Sequence, residues 1–149
     1  MAQLENPAKE FQFGLILPGL IPALVQKVKL PDTDFDIAEH GDAGFLVKTA
    51  GLIKFGKLNL TKLKPSDALD VYIWTWVKQI RNTVTGGGAP PSLYKKVGLV
   101  EQYGNDGITV VHSWVVKGVW PSKINGVSYD RASSNNTIED IEFEVDELI

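Results

Sequence analysis

The chain of 149 residues has no cysteine, two histidines and one methionine. Without cysteine there are no disulfides and no thiol nucleophile, which suits a protein made in the cytosol. His40 and His112 do not have metal-ligand spacing, and neither has a cysteine near it. His112, between Val111 and Ser113, reads as a packed or interfacial strand residue. No apolar run is long enough to cross a bilayer. The opening MAQLENPAKE mixes charges of both signs and lacks an apolar h-region, so no secretory signal is expected. Gly86-Gly87-Gly88 follows a helical stretch instead of preceding one, and no GK[ST] comes after it, which argues against a phosphate cradle. There is no nucleophile elbow, no recognition helix or stacking platform for nucleic acid, and no internal repeat. An enzyme is the least supported class, and no cofactor or metal site is expected.

What is present is a core-forming composition, 44% apolar, in a length that suits one domain, 1–149. Net charge is −3. Residues 139–149 hold six of the 18 acidic side chains and no basic one, which leaves 12 acidic against 15 basic residues in the remainder. An acidic end on a mildly basic body permits head-to-tail attraction between copies.

One stretch reads as a helix, PSDALDVYIWTWVKQIRNTV, with the helix over 66–83. Ser66 is placed to cap it. Asp67 and Asp70 lie early and Lys78 and Arg81 late, as the helix dipole favours. Leu69, Tyr72, Ile73, Trp76, Val77 and Ile80 share one face. Trp74 points away from that face, beside Lys78 and Arg81, and a large aromatic there needs another surface to cover it. The rest is strand-like. After a loose arm at 1–9, Phe11 to Leu17 alternates as a strand, and Val25 to Leu30 is a second, stopped at Pro31. Residues 31–44 read as polar and turn-rich around a short Phe35-Asp36-Ile37 extension. Phe45 to Leu63 is strand sequence punctuated by Gly51 and Gly56, with five lysines between Lys48 and Lys64. Charge and glycine in such a segment mark 31–57 as a projecting hairpin arm. TGGGAPPS, 85–92, is a loop. Lys95–Tyr103 and Ile108–Val119 form a hairpin around Asn105-Asp106-Gly107, ended by Pro121. Residues 122–136 are a polar connection, and Thr137–Glu147 is the last strand. The returning strand is apolar on both faces: Ile108, Val110, Trp114 and Val116 on one, Val111, Val115 and Val119 on the other. A strand at a solvated sheet surface is polar on one side, so its second face calls for cover by the helix or by another subunit. The expected fold is mainly β, an antiparallel β-sandwich or barrel with one packed α-helix and the arm.

In the terminal strand Ile141, Phe143 and Val145 share one parity and are expected in the core. Asp140, Glu142, Glu144 and Asp146 share the other and face water, with no partnering base apparent in the sequence.

Three passages resemble a known family: KTAGLIKFGKLNLTKLKPSDALDVYIWTW, VKGVWPSKING and SNNTIEDIEFEVDEL. Their order and spacing are similar to those of the tail tube proteins of contractile-tailed bacteriophages and the related inner-tube proteins of contractile injection machines. There a strand leads into a tryptophan-bearing helix, an apolar strand exits through a W-P-x-K-like turn, and the chain closes on an I-E-x-I-E-F strand. Ala38-Glu39-His40-Gly41 departs from the arginine-glutamate-glycine-glycine pattern often found in the arm.

The resemblance implies a structural subunit whose copies form hexameric rings stacked into a hollow tube inside a contractile sheath. Its expected partners are itself, the sheath protein, baseplate or initiator and tail terminator proteins, and tape measure protein and genomic DNA in the lumen. No membrane is involved. The expected location is the virion tail, assembled in the host cytoplasm. On this reading Asp36, Glu39, His40, Asp42, Phe45, Lys48, Lys54 and Lys57 make contacts between stacked rings, in an arm that orders on docking. Trp74, Lys78 and Arg81 make contacts between subunits, and Asp140, Glu142, Glu144 and Asp146 line the channel. Two alternatives remain: a tube that translocates protein cargo, and a monomeric β-sandwich binding module. For the acidic row, a merely solubilising edge is the competing explanation.

Overall fold

The computed structural model describes residue 9 and residues 11–20, 24–64 and 72–149. Its elements are β1 (Phe13–Ile16), β2 (Val25–Lys29), β3 (Thr33–Asp42), β4 (Phe45–Phe55), β5 (Lys57–Leu63), α1 (Tyr72–Ile80), α2 (Pro91–Tyr94), β6 (Lys96–Tyr103), β7 (Val110–Ile124), β8 (Ile138–Glu144) and β9 (Glu147–Leu148). Six strands run in the order β1-β6-β7-β8-β5-β2, with β9 added against β7. β3 and β4 pair only with each other, as a separate two-stranded sheet. Every pairing is antiparallel.

β7 joins the two halves of the large sheet. Val110 to Val119 pairs with β6, and Trp120 to Ile124 pairs with β8. The change of partner falls beside Gly118, whose φ of +67° suits glycine. A register shift between Lys96 and Gly98 lies opposite. This bulge breaks the two-residue period, so Val116 and Val119, of opposite parity, are both fully buried. The sequence reading of β7 is thereby corrected in two ways. Val116 and Val119 enter the same core because the strand turns over between them, and Ile108, Val110 and Val111 are exposed, so the helix is not the cover that the sequence reading called for there. Pro121 does not end the strand. It stays in the ladder opposite Phe143, beside a register shift, the kind of place where a sheet tolerates proline.

The core gathers Leu15 of β1, Leu58 and Leu60 of β5, Trp76 of α1, Val116 of β7 and Phe143 of β8. Apolar burial of this kind supplies the main favourable folding term. α1 lays Ile73 and Trp76 onto the sheet, with the Trp76 ring 5.8 Å from that of Phe143. The expected start of the helix, with Ser66, Asp67, Leu69 and Asp70, lies outside the described residues, as does most of the expected N-terminal arm. The glycine-rich loop turns back onto the helix end: Ala89 N–H donates to the Gln79 carbonyl at 2.8 Å and Asn82 N–H to the Gly87 carbonyl at 2.7 Å. A Cβ at Gly88 would collide with the Ile80 carbonyl, so this glycine serves a close backbone approach. Pro91–Tyr94, expected to be loop running into strand, forms the one-turn helix α2, with proline at its start.

Candidate functional site

Three surfaces carry the residues singled out from the sequence. The first is the β3–β4 hairpin. Residues 31–44 were expected to be turns around a short extension, but β3 is a ten-residue strand in register with β4 from Thr33↔Phe55 to Asp42↔Phe45. Aspartate and glycine disfavour strands, and pairing with the apolar Phe45–Phe55 segment overrides that preference. Every β3 side chain is exposed, and β4 is exposed except at Val47 and Phe55, which are half-buried. Beyond a bulge after Phe35, partners on opposite strands share faces: Ile37 with Ala50 and Gly41 with Leu46 on one, His40 with Val47 and Asp42 with Phe45 on the other. Apolar groups therefore stand on both faces in water. Asp36, Glu39, His40, Asp42, Phe45, Lys48 and Lys54 are brought together on this hairpin. Lys54 Nζ meets Asp36 at 2.8 Å, which raises the lysine pKa, first by hydrogen bonding and then by charge. Lys57 does not join them; it opens β5 in the main sheet.

The second surface is the outer side of α1. Trp74 is 48% exposed and Trp76 only 1%. Trp74 and Lys78 stand one helical turn apart on that side, and exposed Arg81 follows just past the helix end.

The third surface is the outer face of β8. Ile141, Phe143 and Val145 are buried, and Asp140, Glu142 and Glu144 occupy the opposite parity, half-buried. They have ion-pair and hydrogen-bond partners. Lys57 Nζ sits between Glu142 and Glu144, at 3.7 and 3.6 Å, and the Thr61 hydroxyl donates to Asp140 at 2.6 Å. The partners come from β5, the register neighbour of β8, which a single strand's pattern does not reveal. Asp146 leaves the row. It lies past the end of β8, its N–H donates to the Lys117 carbonyl, and its carboxylate takes a 2.8 Å bond from Lys95, whose pKa rises as a result.

The sequence reading also missed Glu139. It pairs in register with Lys62, and both side chains are buried, 2% and 0% exposed, with Nζ 3.3 Å from the carboxylate. Lys64 Nζ lies 3.8 Å from the other oxygen. Parity was the available signal: Lys62 follows Leu58 and Leu60 inward, and Glu139 precedes Ile141 and Phe143.

Among the described residues no three His, Cys, Asp or Glu side chains gather as a metal set, and the features that stand out are uncovered surfaces. The fold defines a mainly β protein with uncovered apolar groups on its described surfaces. The chain belongs to the T4-like virus tail tube protein gp19 family, whose model matches residues 9–149. It is similar to the tail tube protein gp19 of Enterobacteria phage T4, 39% identical over 61 residues, and equally to that of Enterobacteria phage T6. That stretch covers 41% of this chain and 36% of the length of those relatives. Among solved structures, the fold is similar to a chain of the anti-feeding prophage tube-terminating cap, with a TM-score of 0.78 at 20% identity, covering 100% of this chain and 93% of that one. A chain of the sheath–tube complex of an extracellular contractile injection system in its extended state matches with a TM-score of 0.70 at 19% identity, covering 98% and 92%. At these identities the likeness is one of fold.

Proposed function

We propose that this chain is the repeating subunit of a phage tail tube, closing into six-membered rings that stack around a channel for DNA within a contractile sheath. Family membership supports the tube. The observation that carries assembly is the β3–β4 hairpin, which stands apart from the main sheet with apolar side chains exposed on both faces. A heterologous contact through such an element closes into a ring or runs on as a helix. Sheath, terminator and baseplate proteins are partners by analogy with the assemblies in which the structural neighbours occur, and tape measure protein and DNA are the contents of the lumen. The subunit then belongs to the virion tail and assembles in the host cytoplasm. Negative-stain microscopy of concentrated protein is the direct test: rings or tubes are expected, and a persistent monomer would favour a binding module.

The hairpin supplies the contacts between rings. A two-stranded hairpin paired only with itself is marginal in water, so its amides in the free subunit exchange fast and become protected in the tube. Deleting Gly41 to Gly44 removes the turn and blocks tubes while leaving a folded domain. Equal amide protection in monomer and tube would defeat this reading.

The outer face of β8, with Asp140, Glu142 and Glu144, lines the channel, with Asp146 at its margin. Basic walls bind DNA by releasing counterions, whereas carboxylates gain nothing and repel the phosphates. Lys57 offsets part of this charge, and the register puts Lys123 of β7 and Lys27 and Lys29 of β2 on the same face, so the carboxylates form an acidic row within a face of mixed charge. These part-exposed ion pairs contribute little to folding, so E142K/E144K is expected to form tubes. Those tubes should retain DNA at low salt and release it as salt rises. Side chains found on the outer wall of an assembled tube, or DNA delivery unaltered in the variant, would exclude the lumen assignment.

A further inference from the structure

The chain contains one Asn-Gly pair, Asn125-Gly126, and one Asp-Gly pair, Asp106-Gly107. Both sequences can close a five-membered succinimide ring on the main chain, because glycine puts no side chain in the way of its own nitrogen. The structure treats the two pairs differently.

Asp106-Gly107 is locked. The Asp106 carboxylate accepts from the Thr109 hydroxyl at 2.5 Å and from the N–H groups of Ile108 and Thr109 at 3.0 and 2.9 Å. These bonds, the hydroxyl's foremost, lower its pKa to about 2, so the group is ionised and a poor electrophile. The nitrogen that would have to attack is held as well: Gly107 N–H donates to the Gly104 carbonyl at 2.9 Å.

Asn125-Gly126 is open. β7 ends at Ile124, and the exposed pair follows it outside any helix or strand. Asn125 N–H donates to the Asp140 carbonyl at 3.0 Å, which anchors the residue beside β8. Among the described residues, neither the Asn125 carboxamide nor the Gly126 N–H makes a hydrogen bond. A Cβ at Gly126 would meet nothing within 4 Å, so nothing packs against the backbone that must turn its nitrogen toward the side chain.

We propose that Asn125 is a site of spontaneous deamidation in the folded subunit. A solvent base takes the Gly126 amide proton, and the nitrogen attacks Asn125 Cγ. The N–Cγ bond forms, the Cγ–Nδ2 bond breaks, and the side-chain nitrogen takes a proton from water and leaves as ammonia. Water then opens the succinimide. Attack at Cγ gives aspartate with an unaltered backbone. Attack at the main-chain carbonyl carbon gives isoaspartate, whose chain runs on through Cγ. Overall one water is consumed and one ammonia released. Either product replaces a neutral amide by a carboxylate opposite Asp140, which extends the acidic row of β8 by one charge. Isoaspartate also adds a carbon to the main chain, at the start of the largely exposed connection 125–137. The last β7–β8 pair, Ile124↔Ile141, precedes the changed bond, so the fold survives the reaction.

The test compares the full chain folded and unfolded in guanidinium chloride, both kept in warm buffer near neutrality and the first below its melting transition. Peptide mapping by mass spectrometry follows the amide-to-acid conversion at Asn125, and labelling with isoaspartyl methyltransferase follows isoaspartate at both pairs. Asn125 should convert in the folded chain within a few-fold of its rate in the unfolded one. Isoaspartate at Asp106 should form about tenfold or more slowly in the folded chain, because reaction there waits for local opening. N125Q, which would need a six-membered ring, should lose the reaction, and the aged unaltered chain should melt with the fresh one. Protection of Asn125 as large as that expected of Asp106, no protection of Asp106, or unfolding in step with the Asn125 reaction would overturn the proposal.

Discussion

Trp76→Ala is expected to lose about 3–5 kcal/mol of folding stability. Natural domains hold only about 5–15 kcal/mol in total, so little folded subunit should remain near physiological temperature. The loss has several sources. The indole is buried, its N–H donates to the Tyr94 carbonyl at 2.6 Å, and its ring packs against Phe143. Lys96 Nζ stands 5.1 Å from the ring centroid. One side chain therefore ties α1 to α2, to β8 and to the start of β6. Truncation opens a cavity among all of them and leaves the Tyr94 carbonyl without this donor. Trp74→Ala, two residues away, should leave the melting of the isolated subunit nearly unchanged and weaken assembly, because aromatic anchors carry a large share of interface energy. Denaturant melts of monomers, paired with tube yield by sedimentation, separate the two effects. Equal destabilisation by both substitutions would defeat the division.

Glu139→Ala is expected to cost about 3–5 kcal/mol, because it leaves the buried Lys62 ammonium without this carboxylate. The charge pair itself need not be stabilising. Its removal from water is expensive, and a well-packed apolar pair of similar volume often does as well or better. K62M/E139L should therefore recover most of the lost stability, and a double-mutant cycle should return a large coupling energy. A small loss in Glu139→Ala, or a double variant no better than the single one, would show that the pair is hydrated or replaceable. The interaction joins the end of β5 to the start of β8, so its loss should also speed amide exchange along that ladder.

The sequence alone determined whatever is set by the period of a single element. Alternation in 140–146 placed Ile141, Phe143 and Val145 inside, and helical spacing separated Trp74 from Trp76. Both follow from where successive Cβ atoms point, which needs no knowledge of neighbours. The mainly β class was legible on the same grounds, and the family from the order of its three passages.

Tertiary structure decided everything that depends on a partner strand. β3 is a full strand because β4 pairs with it, not because its own aspartates favour extension. Pro121 stays in a ladder because β8 shifts register there. Val116 and Val119 enter one core because the chain turns over beside Gly118, which resets the parity that the sequence reading carried straight through. The acidic row is threaded by Lys57, and Glu139 is buried with Lys62, because β5 lies beside β8, some 80 residues away in the chain. Direction along one strand is a local property of the backbone. Charge balance, register and closure are set between strands distant in sequence, so a pattern read along one strand does not contain them.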